Sequence, residues 1–286
     1  MSLFVLILLL SLSAFSNLEK KMPFEHFCKT HLQNSFIKAL QIATQNHSCE
    51  GLEIKVNQDR HLNLGVMEID DLEGLSYFPH LEELDFHHNS IKSIEELMGL
   101  TRLKKLNLYR NQIENLRPIE LLIGLEELYL GTNKITNLES LRSLTHLKVL
   151  GIKKNPIHSL EPISNLVNIE RLFIFNSDVQ DLTALSGLKQ LKSLNLTNNK
   201  IKDVSQLKDL NKIMRLFLGQ NGIQDICPLQ SLASLEYLKL EKNKIKTIGC
   251  LTKLSALKSI DLRGNPITPS EIKNFKKDRP HVLIQF

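Results

Sequence analysis

The chain has 286 residues, 42% of them hydrophobic, with leucine dominant and no tryptophan. That content can bury a large core and excludes an intrinsically disordered chain. The net charge of +5 is mild, and the absence of any long Lys/Arg block argues against a nucleic-acid or membrane-binding stripe.

The first sixteen residues, "MSLFVLILLLSLSAFS", contain no charged side chain. The apolar run from Leu3 to Leu12 is too short to cross a bilayer as a helix. Small residues at Ala14 and Ser16 precede the polar "NLEKK", so residues 1–16 are predicted to be a cleaved signal peptide. The mature chain then begins near Asn17, retains no membrane span, and is secreted or periplasmic. Export makes the cysteines candidates for disulfides.

Residues 17–61 are expected to form an N-terminal cap. "NSFIKALQIATQ" has helical spacing through Phe36, Leu40 and Ile42/Ala43, and "GLEIKV" reads as a first strand. Cys28 and Cys49 flank that helix and are expected to be bonded, stapling it to the first coil. Closing such a loop restricts the unfolded chain by ~3 kcal/mol.

From residue 62 to 267 a period of 22 takes over. Asn89, Asn111, Asn133, Asn155, Asn199, Asn221, Asn243 and Asn265 stand on one ladder, broken only at Ser177. Around each rung runs the frame Leu-x-x-Leu-x-Leu-x-x-Asn-x-Ile-x-x-Leu-x-x-Leu-x-x-Leu, as in "LKKLNLYRNQIENL". An earlier degenerate copy places Met67 at the rung and Leu62, Leu64 and Ile69 in the apolar slots. This is the leucine-rich repeat. Its Leu-x-Leu piece is a short strand, and the three-residue spacing that follows suits a 3₁₀ return. One coil cannot bury its leucines, whereas stacked coils bury them against each other. Asn offers both a donor and an acceptor to backbone groups freed at the turn. Pro118, Pro162 and Pro228 fall on return arms, where no ladder donor is lost. Cys227 and Cys250 occupy neighbouring arms one frame position out of register, where a bond and two separate thiols fit equally well.

Residues 268–286 form the C-terminal cap. Thr268-Pro269-Ser270-Glu271 reads as a capping box with Pro at the first helical position, then come a short amphipathic helix and a closing strand, "HVLIQF". The fold class is therefore α/β: a right-handed solenoid with a curved parallel sheet on its concave face and 3₁₀ or irregular arms on the convex one.

The 22-residue frame, the arms "LRPI", "LEPI" and "ICPL", the exported helical cap and the ending "NPIT" with Glu271, Ile272 and Phe275 resemble the internalin-like bacterial leucine-rich-repeat proteins. The resemblance covers residues 22–286. It implies a concave sheet that grips a protein ligand, often one from a host cell. The chain carries no wall-sorting motif after its cap, so a released or periplasmic protein is expected. The same period resembles an intracellular phosphatase-regulatory leucine-rich-repeat protein, which would make the chain a regulatory scaffold for an enzyme. The export signal and cysteine-flanked cap favour the first reading.

No phosphate loop, nucleophile elbow or zinc helix is present, so neither catalysis nor a cofactor is expected. His87-His88, with His61 a coil away, supplies too few ligands for a metal and reads as solvent-facing. Glu82, Glu83 and Asp85 read as a solvated acidic patch. "NHS" at Asn46 and "NLT" at Asn195 match the glycosylation pattern, but a glycan at Asn195 would stand on the concave sheet.

The stretch "RLFIFNSDV", Arg171 to Val179, carries the binding expectation. Ile174 occupies the inward slot filled by Leu108, Leu130, Ile152, Leu196 and Leu218 elsewhere, so Phe173 and Phe175 point outward. The same columns hold Tyr109, Tyr129 and Phe217, with Tyr237 one column over. Gly131 and Gly151 are expected to leave hollows beside the rings, and Lys153, Lys154, Arg171 and Arg215 to frame them. A contiguous group of six rings is expected to form a protein-binding hot spot centred on Phe173, Phe175 and Phe217.

Overall fold

The computed structural model describes residues 22–286; the signal peptide expected at residues 1–16 lies outside the described residues. Helices α1 (Phe24–Thr30), α2 (Ser35–Thr44) and α3 (Cys49–Gln58) come first. Eleven parallel strands follow in strict chain order, from β1 (His61–Asn63) to β11 (Leu283–Gln285). In the central region these include β3 (Lys105–Asn107), β4 (Glu127–Tyr129), β5 (Val149–Gly151), β6 (Arg171–Phe173), β7 (Ser193–Asn195), β8 (Arg215–Phe217), β9 (Tyr237–Lys239) and β10 (Ser259–Asp261). Each pairs with the next in a constant 22-residue register as far as β10, as in Leu106↔Leu128 and Leu150↔Leu172. The convex side is a stack of short 3₁₀ turns, from Leu75–Tyr77 to Gly249–Lys253. Pro118, Pro162 and Pro228 stand at the second position of such turns. The frame leucines and isoleucines form one continuous buried core between the two sides.

The Asn ladder works as a repeated three-bond clamp. Asn133 Oδ1 accepts from Ile113 N at 3.0 Å, while its Nδ2 donates to the carbonyls of Leu108 (3.0 Å) and Leu130 (2.9 Å). The residue before each rung is left-handed, with φ between 53° and 62° from Val66 to Lys242. At the missing rung, Ile157 N turns back to Asn155 O at 2.8 Å, and Ser177 Oγ is buried without a partner. Pro156 lacks the N–H that Lys134 and Lys200 donate to the preceding coil. The strands nevertheless pair through this coil without a register shift.

The N-terminal cap differs from expectation in three ways. "GLEIKV" is not a strand but part of α3, and β1 starts at His61. Leu52, Ile54 and Val56 alternate like a strand, yet the buried residues are Cys49, Leu52 and Val56, at helical spacing, while Ile54 is 51% exposed. Ser48 caps this helix by accepting from Gly51 N. The helical reading of this stretch holds over 35–44, except that Ile42 and Ala43 face out and Ile37 and Ala39 face in. The Cys28–Cys49 disulfide forms, but it joins α1 to α3 within the cap rather than a helix to the first coil. Cys227 and Cys250 are also bonded, linking two successive 3₁₀ turns.

At the other end, α4 (Pro269–Asp278) is capped by Thr268 Oγ1, which accepts from Glu271 N. The second half of the expected capping box is used differently. Glu271 Oε1 accepts from Ile248 N (2.7 Å) and Gly249 N (3.1 Å), so it caps the last 3₁₀ turn. Arg279 is buried and donates to Thr252 O and Ser255 O, docking the cap on the final coil.

Candidate protein-binding face

Parallel pairing places three outward columns on the concave face: the first and third residues of each strand and the fifth position just beyond it. Phe173 and Phe175 occupy the third and fifth positions of one coil, with Ile174 fully buried between them. Phe175 lies in the column of Tyr109, Gly131 and Lys153, and Phe173 in that of Tyr129, Gly151, Asn195 and Phe217. Both phenylalanines are half-buried against the sheet rather than standing free in water.

The structure divides the expected cluster of six rings. Tyr109, Tyr129, Phe173 and Phe175 line one open depression of about 590 Å³, together with Lys105 and Lys153. Asn195 stands between Phe173 and Phe217, and neither Phe217 nor Tyr237 lines that depression. Arg171 and Arg215 stand in the first column at its border. The glycine hollows are filled from within the chain. A Cβ on Gly131 would lie 2.6 Å from Lys153 Cγ, because the lysine lies across that position. A Cβ on Gly151 would lie 3.3 Å from Tyr129 Cδ1, because that ring leans over it. Both glycines thus admit neighbours rather than leave room for a ligand.

Lys153 reaches over Gly131 until Nζ lies 4.4 Å from the Tyr109 ring centroid and 5.0 Å from that of Phe175. Lys239 lies over Phe217 and Arg215 over Tyr237. Glu127 gathers the remaining groups: Tyr129 Oη donates to it at 2.8 Å, Lys105 Nζ stands 3.7 Å away and Arg171 Nη2 3.9 Å. Burial, reinforced by the hydrogen bond to Glu127, pushes the Tyr129 phenol up to about 12.

The acidic N-terminal end is more neutralised than its residues suggest. Glu82 is held by Arg60 and Lys104, and the Lys104 bond, with that to Arg60, holds its carboxyl below the usual range. Asp85 accepts from Asn107 and pairs with His87, while His61 pairs with Glu83. His61 and His87 are therefore taken up by separate carboxylates, while His88 packs edge-on against His87 and Tyr109. A related pattern escaped the sequence reading. Glu82, Lys104, Glu126, Lys148, Glu170 and Lys192 alternate in sign along the edge of the sheet, and the pairs Lys148–Glu126 and Lys192–Glu170 close at 2.6 and 2.7 Å. The alternation was visible at the 22-residue spacing, in a column outside both the leucine frame and the concave face.

Comparison with known families matches "Leucine Rich repeats (2 copies)" at residues 79–121 and 101–143, and leucine-rich-repeat families again at 189–205 and 211–267. No curated protein matches. Among solved structures, internalin C2 from Listeria monocytogenes is 28% identical over 74% of this chain and 92% of its own, with a TM-score of 0.67. The functional domain of InlJ from the same organism, described as including a cysteine ladder, is 26% identical over 85% of this chain and 53% of its own, with a TM-score of 0.71. A leucine-rich-repeat protein of Leptospira interrogans is 25% identical over 82% of this chain and 62% of its own, with a TM-score of 0.78. The unbroken 22-residue register, the helical cap and these likenesses together make the chain an internalin-like leucine-rich-repeat protein.

Proposed function

We propose that the chain is an exported binding module that recognises a protein through its concave face, with the partner drawn from a host cell. The observation that carries this reading is the depression where Tyr109, Tyr129, Phe173 and Phe175 converge with cations. Large half-buried rings flanked by charge are where protein interfaces concentrate energy. A solenoid also presents such a face as one extended concave surface. The two disulfides support an oxidising compartment, and hence export, over a cytosolic phosphatase scaffold. Phe217, Tyr237, Arg171 and Arg215 extend the contact beyond the depression.

The test compares the mature protein with a Phe173→Ala/Phe175→Ala variant in pull-downs from host extracellular proteins. A partner retained by the wild type should be lost by the variant, with each ring worth about 2 kcal/mol of binding. Circular dichroism should be unchanged, because neither ring belongs to the buried core. Equal retention by both proteins would remove the site. N-terminal sequencing of the exported product should give a start near Asn17.

A further inference from the structure

We infer that the partner segment gripped by this face is an acidic polypeptide, a deepening that rests on the binding role proposed above. Across the outward columns from β3 to β9 stand five cations, Lys105, Lys153, Arg171, Arg215 and Lys239, against two carboxylates, Glu127 and Glu241. Glu127 is engaged by Tyr129, Lys105 and Arg171. Glu241, at the C-terminal margin, lies back over Gly219.

The other three cations, Lys153, Arg215 and Lys239, rest on ring faces, with no carboxylate within ion-pair distance among the described residues. A ring face steadies a cation without cancelling its charge, so each remains able to pair with an incoming carboxylate. The alternating ladder beside the strands does not compete for this role, since its lysines are matched by glutamates on neighbouring coils. On this stretch of the ring-bearing face cations therefore outnumber carboxylates, and Asp85, at the N-terminal margin of the depression, is engaged by Asn107 and His87. A basic segment would meet like charge there, whereas an acidic one with interleaved apolar residues would set carboxylates on the cations and side chains against Tyr129 and Phe173.

Single-stranded nucleic acid fits less well. Base stacking needs open ring faces along a continuous cationic track. Here Lys153 lies over Tyr109 and Phe175, Lys239 over Phe217 and Arg215 over Tyr237. Glu127 interrupts the track.

Fluorescence anisotropy with the mature protein would test this. The probes are a peptide alternating Glu with Val, one alternating Lys with Val, and an oligothymidylate of similar length. The Glu peptide should bind about tenfold tighter than the Lys peptide and weaken with added salt. A Lys153→Glu/Arg215→Glu/Lys239→Glu variant, shown folded by circular dichroism, should reverse that order. The inference falls if the wild type prefers the Lys peptide or the oligothymidylate, if the Glu peptide does not bind, or if the variant keeps the wild-type order. Such a failure, with the Phe173→Ala/Phe175→Ala variant still losing its captured partner, would remove the charge assignment and leave the binding face standing. If that variant keeps its partner as well, the face itself is misplaced.

Discussion

The coil clamped by Asn133 and the coil that carries Ser177 share a strand register and a leucine core, but not a clamp. In the first, one amide ties three backbone groups across successive coils. In the second, the amide is missing, the preceding coil has Pro156 where a donor stands elsewhere, and one backbone N–H closes a local turn instead. Because β5, β6 and β7 pair regularly through the gap, strand pairing and leucine stacking hold the sheet, and the Asn rung satisfies what they leave over. The coil without the clamp is also the coil that presents Phe173 and Phe175. Local rules of a fold are most often broken where a sequence serves function.

The comparison can be broken at its base. Leu128→Ala in the clamped coil and Leu172→Ala in the unclamped one should each cost roughly 2–5 kcal/mol in denaturant unfolding, since both are fully buried. A clearly smaller loss at Leu172 would mean that the gap loosens the core. Asn133→Ser should cost about 1–3 kcal/mol, because the donors and acceptors it frees are buried and no local turn replaces them. A cost near zero would make the rung dispensable everywhere.

Val66 tests the backbone that precedes each rung. It is β-branched, 66% exposed and held at φ 62°, a conformation that suits glycine. Val66→Gly should therefore stabilise by about 1 kcal/mol. Ser177→Asn should add less, roughly 0.5–1 kcal/mol, by completing the clamp. Its clearer signature is slower amide exchange at Ile157, the donor an Asn would recruit.

The smallest effect concerns the outward side of the clamped coil. Tyr129 should be the last tyrosine to ionise in an ultraviolet titration, at about 12, and Tyr129→Phe should delete that step. A phenol raised in the folded state contributes stability that is complete below its ordinary value of 10.0 and is lost as pH climbs through about 12. Ionisation with the bulk of the tyrosines would show that the Glu127 bond and the burial are absent in solution.

Much of this was legible because the frame repeats without insertion. Eight asparagines at one spacing fixed the strand register, and the register alone turned Ile174 inward and the two phenylalanines outward. Three kinds of feature were not legible, each for a physical reason. Helix α3 hides behind a short alternation of Leu52, Ile54 and Val56, which strand and helix share over so few residues. The filling of Gly131 by Lys153 and of Gly151 by Tyr129 depends on which way a long side chain leans, and a column position does not encode that. Glu271 satisfied the sequence pattern of a capping box while serving the neighbouring turn, because a carboxylate answers to whichever donors are nearest in space.

The two disulfides carry a further consequence for how such a molecule comes apart. In a stack where each coil touches only its neighbours, unravelling begins at a terminal unit, which has one neighbour instead of two. The Cys28–Cys49 bond closes the first such unit upon itself, and the Cys227–Cys250 bond ties together two coils shortly before the last. Unravelling inside the N-terminal cap therefore meets a covalent stop, while peeling from the C-terminal end meets a bond between two coils before it reaches the coil bearing Phe217. In a protease-rich setting, the second of these would confine trimming at that end to the margin and spare the central face.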